Sequence, residues 1–348
     1  MYEFLNSSNA DEFESFVSTH ENGSFMQSPI WGNVKANWES EGLISRGCDG
    51  RIRGTCLVLI KRLPLCSMLY APRGPVCDYN DAVTLADIVR GIDDIAKKYH
   101  AFAAVCDPPV SDVGALRSAG FLHTLTDEDR LIQCRSNYIL DLNGRTPDDI
   151  RAHFKPEYRN RISKAQRRGV WCKEYSGENA VAKLDDFYSL MIQTGKRDGF
   201  PIRSKEYFAN FIRAFGERSR LFMCYAKISE DTVPLSGAIT VNYGGKFSYV
   251  YGASGDLWRD LYPNYLMQQT MINAAVKHGC RVYDFGGVPF YDDDTRREYG
   301  MYRFKRGFGG EVVSYAGQLA KIYRPTLYRA AAFMKRSPRL LTFAAGRR

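Results

Sequence analysis

Ser236-Gly-Ala-Ile-Thr-Val-Asn242, Lys246-Phe-Ser-Tyr-Val-Tyr251, the stretch from Pro263 to Gly279, and Cys280-Arg-Val-Tyr-Asp284 together decide the fold. The first two pieces read as strands, β-branched and aromatic residues joined by a Tyr-Gly-Gly turn. Tyr251-Gly-Ala-Ser-Gly255 leads out of the second. A helix opens near Pro263, where a missing N–H costs nothing, and stops at Gly279. A short apolar strand from Cys280 to Tyr283 then ends on Asp284. The same order occurs upstream. Gly54-Thr-Cys-Leu-Val-Leu-Ile60 and Ser67-Met-Leu-Tyr70 read as paired strands, and Tyr70-Ala-Pro-Arg-Gly-Pro75 leads into a helix. Its Leu85, Ile88, Val89, Ile92 and Ile95 keep helical spacing. A strand from Phe102 to Cys106 ends at Asp107-Pro108-Pro109. Two copies of meander, helix and crossover strand predict a duplicated α/β (α+β) domain, with chance as the alternative because this order is common.

Length agrees with a duplication, since 348 residues exceed one ordinary core. Thr146-Pro147-Asp148-Asp149 reads as a helix start, with Thr146 as N-cap and acids in the first turn. With Asp141-Leu-Asn-Gly-Arg145 as linker, the expected domains are 1–145 and 146–318. From Leu319 the chain reads as mostly helical and basic, interrupted at Ser337-Pro338.

The net charge of +9 points to a polyanionic partner or to a solvated basic surface. Nine cysteines with no CxxC pair read as free thiols in a reducing compartment, with Cys106, Cys224 and Cys280 buried. The five histidines lack zinc-ligand spacing, so no metal is expected. The N-terminus lacks a basic, then apolar, leader, and no stretch reaches the roughly 18 apolar residues of a membrane-spanning helix. A cytoplasmic location is expected. No Walker A loop, Rossmann fingerprint, G-x-S-x-G elbow or credible Ser/His/Asp triad is present.

Five constellations could carry chemistry. In Tyr302-Arg-Phe-Lys-Arg-Gly-Phe-Gly-Gly310, Lys305 lies between Phe304 and a glycine cluster, close after Asp284-Phe285-Gly286-Gly287. A cation at such a crevice could meet an anion or a developing oxyanion, and the glycines would let backbone approach a ligand. Arg159, Arg161, Lys164 and Arg168 belong to a basic helix that starts after Pro156 and stops at Gly169. Arg161, Lys164 and Arg168 share a face opposite Ile162 and Ala165, which suits RNA phosphates or plain solvation. Trp31, Val34, Lys35 and Trp38 read as helix neighbours, the tryptophans as core and Lys35 as a phosphate contact. Arg203 and Tyr207 flank a helix start at Ser204, which suits a phosphate or pyrophosphate. Tyr249, Tyr251, Tyr262 and Tyr265 read as packing or as the lining of one cleft.

The chain resembles the FemX/FemABX peptidyltransferases, which build the interpeptide bridge of bacterial peptidoglycan. The resemblance rests on Gln27-Ser28-x-x-Trp31-Gly32-x-x-Lys35, Tyr70-Ala71-Pro72-Arg73-Gly74-Pro75, Asp107-Pro108-Pro109 and Arg159-Asn160-Arg161-Ile162-x-Lys164-Ala165. Tyr251-Gly252-Ala253-Ser254, Asp284-Phe285-Gly286-Gly287 and Phe304-Lys305-x-x-Phe308-Gly309-Gly310 complete it, in order along nearly the whole chain. It implies two tandem GNAT-like domains, with the C-terminal helix (319–348) packing back on the first. It implies transfer of an amino acid from aminoacyl-tRNA to the side-chain amine at position three of a stem peptide. The acceptor would be UDP-MurNAc-pentapeptide or its lipid-linked form, lipid II. The resemblance further implies that Lys305 stabilises the oxyanion or the terminal ribose, that Phe304 shapes the pocket and that Asp107 faces the acceptor. Lys35, Arg203, Tyr207 and Tyr251 would hold the nucleotide sugar, with Tyr249 beside them. Arg159, Arg161, Lys164 and Arg168 would meet tRNA. A monomer without cofactor is implied. Some members carry a coiled-coil arm, for which Phe187 to Arg220 is too short here, so the chain resembles the armless subgroup. Two rivals are an acyltransferase using acyl-CoA and a basic RNA- or membrane-surface-binding protein. The second would use Leu327 to Arg348, with Phe333, Met334, Leu340, Leu341 and Phe343 among basic residues, on an anionic bilayer.

Overall fold

Apolar runs bounded by turns form fifteen strands in the computed structural model, which describes residues 1–124, 128 and 131–336, with backbone alone for 332–336. The early strands are β1 (Tyr2–Phe4), β2 (Glu39–Arg46), β3 (Ile52–Arg62), β4 (Ser67–Ala71), β5 (Val76–Cys77), β6 (Ala101–Cys106) and β7 (Leu122–His123). Next come β8 (Ser136–Asp141), β9 (Trp171–Tyr175), β10 (Ser219–Ile228), β11 (Asp231–Tyr243) and β12 (Lys246–Ser254). The last are β13 (Val282–Gly287), β14 (Glu311–Ser314) and β15 (Leu319–Ile322). They divide between two units, one of Met1–Arg135 with the chain from Tyr315 onward, the other of Ser136–Ser314.

In the first unit the strand order is β1-β2-β3-β4-β6-β15-β7, with β5 pairing β3. β2, β3 and β4 form an antiparallel meander, the helix Ala82–Lys98 follows, and β6 returns parallel to β4. Asp81 caps that helix by accepting from Val83 N and Thr84 N. Leu85, Ile88, Val89, Ile92 and Ile95 are all buried against the sheet, each burial contributing roughly 1.5–3 kcal/mol. Tyr328, on the helix Pro325–Arg336, packs its ring 6.5 Å from Phe102 on β6. Phe333 and Met334 as side chains, and Ser337, Pro338, Leu340, Leu341 and Phe343 altogether, lie outside the described residues.

The second unit repeats the plan in the order β9-β10-β11-β12-β13-β8-β14. β10, β11 and β12 form the meander, the helix Pro263–Lys277 follows, and β13 runs parallel to β12. In both units the strand beyond the crossover strand is antiparallel and distant in sequence: β15 beside β6, β8 beside β13. The helices Pro263–Lys277 and Pro156–Arg167 cover one face of the second sheet, and Leu184–Asp198 and Lys205–Phe215 lie on the other. The region 187–220 thus holds the rest of Leu184–Asp198, the helix Lys205–Phe215 and the start of β10, with no coiled-coil arm.

All nine cysteines are free thiols, and Cys106, Cys224 and Cys280 are buried. One local expectation fails. The helix carrying Trp31 spans only Pro29–Val34, with Lys35 as its C-cap, so Trp38 is no helix neighbour of Lys35. Trp38 closes a turn onto Lys35 O and lies beside Tyr70.

The glycines after Lys305 admit protein rather than ligand. A Cβ on Gly307 would sit 2.1 Å from the Tyr158 ring, and one on Gly310 would sit 2.3 Å from Ile139 O on β8. The second obstacle is backbone in mid-sheet and cannot step aside. Gly310→Ala is therefore expected to destabilise by about 2 kcal/mol or more, read as a lower urea midpoint.

Candidate active site

β13 breaks off at Asp284-Phe285-Gly286-Gly287, where Gly286 takes φ +78°, a value that favours glycine. The Asp284 carboxylate fixes this turn. Oδ1 accepts Gly286 N–H at 2.7 Å, and Asn137 Nδ2 on β8 lies 3.1 and 3.0 Å from the two oxygens. Lys305 ends the helix Tyr299–Lys305, is 7% exposed, and donates from Nζ to Gly287 O at 2.8 Å. An ammonium is thus held on the glycine turn, secured through Asp284 by Asn137. The neighbouring Phe304 stands edge-on to Tyr265 at 5.2 Å and to Phe308 at 5.4 Å. A buried cation at the open end of a parallel strand pair can stabilise negative charge that develops beside it.

The four tyrosines read as one cleft do not share a face. Register runs Thr240↔Tyr249 and Ile239↔Tyr251, so Val250 is a β-bulge. A bulge reverses side-chain alternation beyond it. Tyr249 therefore packs with Tyr262 and Tyr265 against the core under Pro263–Lys277. Tyr251 faces the opposite helix, with Phe208 at 5.2 Å and Phe211 at 5.5 Å. There it meets the sequence-predicted pair. Ser204 caps the helix Lys205–Phe215 by accepting from Tyr207 N, and Tyr207 Oη is 2.8 Å from Tyr251 Oη. The Arg203 guanidinium lies 5.3 Å from the Tyr207 ring. Burial pushes both phenols up, so the pair stays neutral at physiological pH and offers hydroxyls beside an exposed cation.

The basic helix Pro156–Arg167 behaves as expected on its inner side, with Ile162 and Ala165 fully buried. Its cations divide. Arg159 Nη1 donates to Ala152 O at 2.7 Å and so finishes the preceding helix, Pro147–Ala152. Arg161 donates to Tyr265 Oη, and Lys164 Nζ lies 5.3 Å from the Tyr262 ring. Arg168 Nη1 donates to Asp260 O at 3.0 Å.

In the first unit Asp107 is 1% exposed at the end of β6. Its Oδ2 accepts from Tyr70 Oη at 2.6 Å and its Oδ1 from Arg73 N at 2.7 Å. Arg73 sits at φ +52°, donates from Nη2 to Cys134 O at 2.9 Å, and lies 4.9 Å from the Tyr315 ring. Burial raises the Asp107 pKa, against the pull of Arg73 and of the two hydrogen bonds. Its oxygens are committed to Tyr70 and the strained turn. Lys35 Nζ stands 4.2 Å over Trp31, which is buried. Gln27, also fully buried, bonds Leu57 O at 3.1 Å and Pro72 O at 2.8 Å, tying this turn to β3.

Sequence reasoning singled out neither Asn137 nor the Arg73 guanidinium. Asn137 lies on a strand whose partner is some 147 residues away, and nothing local marks it. Arg73 stood inside a quoted motif, and its place between Pro72 and Gly74-Pro75 was the available signal.

A model of the FemAB family matches residues 9–232 and 225–336. The lipid II:glycine glycyltransferase of Staphylococcus epidermidis is 28% identical over 401 residues, covering 94% of this chain and 94% of that one. That alignment is longer than this whole chain, so the relative carries internal segments absent here. The crystal structure of FemX aligns with a TM-score of 0.84 at 25% identity, over 94% of this chain and 99% of that one. A tandem GNAT protein from the clavulanic acid biosynthesis pathway aligns at TM-score 0.54 and 12% identity, over 92% and 98% of the two chains. That last likeness is one of fold, and the duplicated plan is two tandem GNAT-like domains.

Proposed function

The chain belongs to the FemAB family, and from that premise we propose that it is an aminoacyltransferase building the peptidoglycan interpeptide bridge. The donor is aminoacyl-tRNA and the acceptor is the side-chain amine at position three of the stem peptide. The naming of relatives as lipid II:glycine glycyltransferases favours lipid II over the soluble UDP-MurNAc-pentapeptide. The observation that carries the reading is Lys305, a buried ammonium pinned on a glycine turn beside an aromatic wall.

The acceptor amine attacks the ester carbonyl carbon of the donor, forming a C–N bond and an oxyanion. The C–O bond to the ribose then breaks, and the proton lost by the amine ends on the released ribose hydroxyl. Lys305 offsets the oxyanion charge, and Phe304 walls the ester. No cofactor is needed, because the ester is already activated. Arg203, Tyr207 and Tyr251 take the diphosphate–sugar end. In the first unit, Lys35 is by itself a candidate phosphate contact. Tyr249 packs beneath the turn. Asp107 acts by holding Tyr70 and Arg73 rather than by touching the amine. Arg159, Arg161, Lys164 and Arg168 meet tRNA, Arg159 with the guanidinium edge that its bond to the Ala152 carbonyl leaves over. The protein works as a monomer at the inner membrane face. Among the described residues no helix is long and apolar enough to cross a membrane.

Mass spectrometry of lipid II after incubation with the protein and a mixture of charged tRNAs tests this. A gain of one amino-acid residue, lost when the tRNA is deacylated beforehand, supports the reading; no gain with lipid II or the soluble precursor sinks it. Arg203→Ala is expected to raise KM for the diphosphate-linked acceptor about 10-fold or more, as loss of a charge-assisted contact does. KM for aminoacyl-tRNA should stay within about twofold, and equal effects on both would remove Arg203 from the acceptor site.

A further inference from the structure

Between β12 and the helix Pro263–Lys277 the chain makes one 3-10 turn, Arg259–Leu261. Trp258 (φ 60°) and Tyr262 (φ 58°) flank it, both in the left-handed region that bulky side chains rarely adopt. The turn leaves Trp258 42% exposed and Leu257 73% exposed. Four residues along the chain from Trp258, Tyr262 begins a run of rings, Tyr262 to Tyr265 at 6.0 Å and Tyr265 to Phe304 at 5.2 Å, with Lys305 the next residue. Cations accompany the row. Arg168 is bonded to Asp260, Lys164 lies 5.3 Å from the Tyr262 ring, and Arg161 lies 5.7 Å from Tyr262 and 5.0 Å from Tyr265. Asp256 is engaged by Arg197 and Arg259 and Asp260 by Arg168, while Glu157 lies near Arg161.

Rings interleaved with cations suit a single-stranded nucleic acid, whose bases stack while its phosphates meet the charges. A bilayer would use Leu257 and Trp258 and leave the inner rings without a part. We infer that this row is the track for the unpaired 3′ end of the donor RNA, with Trp258 as its outermost stacking platform. Lys164 and Arg168 take the phosphates, and Tyr262 and Tyr265 lead the terminal nucleotide to Phe304 and Lys305. The inference rests on the aminoacyl-tRNA reading above and adds residues that reading did not use.

The test uses the full chain, an RNA minihelix with a four-nucleotide 3′ single-stranded tail, and the same minihelix made blunt. Loss of one stacked base corresponds to roughly a 10-fold loss of affinity. Trp258→Ala is expected to raise Kd for the tailed minihelix by about that factor, to leave the blunt one unchanged, and to leave KM for lipid II unchanged. Trp258→Gly removes the ring and suits the left-handed backbone, so it should lose the same affinity while melting at or above the wild-type temperature. Unchanged Kd for the tailed minihelix overturns the inference, as does an equal loss on both RNAs. Loss of binding to phosphatidylglycerol vesicles in place of RNA assigns Trp258 to a membrane and also overturns it. A wild type that binds neither RNA and transfers nothing fails the aminoacyl-tRNA reading itself; one that transfers normally beside a neutral Trp258→Ala fails this inference alone.

Discussion

Lys305→Met is expected to reduce transfer at least about 100-fold, the loss typical when a donor to a developing oxyanion is removed. Methionine keeps the length and apolar stem of lysine, so the side chain can still fill the space beside Gly287. The ammonium that donates to Gly287 O is gone, and with it the charge proposed above to offset the oxyanion. The fold should persist, since the Gly286 turn is held separately by Asp284 and Asn137. A single-turnover assay reads the chemical step, and a thermal melt within a few degrees of wild type confirms an intact variant. Full activity in Lys305→Met would remove Lys305 from the mechanism.

The largest stability effect is expected at Asp107. Asp107→Ala leaves the Tyr70 hydroxyl and the Arg73 N–H without their acceptor, in a place almost closed to water. Two orphaned buried donors, both formerly bonded to a carboxylate, cost about 3–5 kcal/mol together. That corresponds to a fall in Tm on the order of 10 °C. The pH dependence has a definite sign. Burial raises the folded pKa of Asp107, so the folded state binds its proton more tightly than the unfolded chain does. Stability referred to Asp107→Asn, which cannot titrate, is therefore greatest below the unfolded value near 3.9 and declines as pH climbs through the raised folded value. Urea midpoints of wild type and Asp107→Asn between pH 3.5 and 7 check this. A difference that grew with pH in favour of wild type would contradict it.

The parts of the fold legible in sequence are those with local signatures. The Leu85 to Ile95 spacing, the Pro263 and Gly279 boundaries and the Thr146 cap each depend on neighbours within a turn or two, and each appears where expected. The duplication was legible because meander, helix and crossover strand recur in one order, although β13 runs past Asp284 to Gly287 instead of ending on it. Features set by distant partners were not. The bulge at Val250 follows from register against β11, so Tyr249 and Tyr251 looked like one lining when they face opposite layers. Asn137 reaches Asp284 only because β8 pairs with β13. The glycines after Lys305 announced a close approach without naming the visitor, which is Tyr158 at one and Ile139 at another.

The position of β15 bears on how the protein is made. β6 pairs with β4 on one side and with β15 on the other, and β15 is the strand that joins β7 to the sheet. On the ribosome, residues 1–124 emerge well before 319–322, with the whole of Ser136–Ser314 translated between them. At about 5–20 residues per second, the β6 edge waits roughly 10–40 s for its partner. During that interval the later unit holds all seven of its strands and can close its sheet, reversing the usual N-terminal-first order. The apolar edge Ala101–Cys106 is then the segment that a chaperone, or a second nascent chain, meets first.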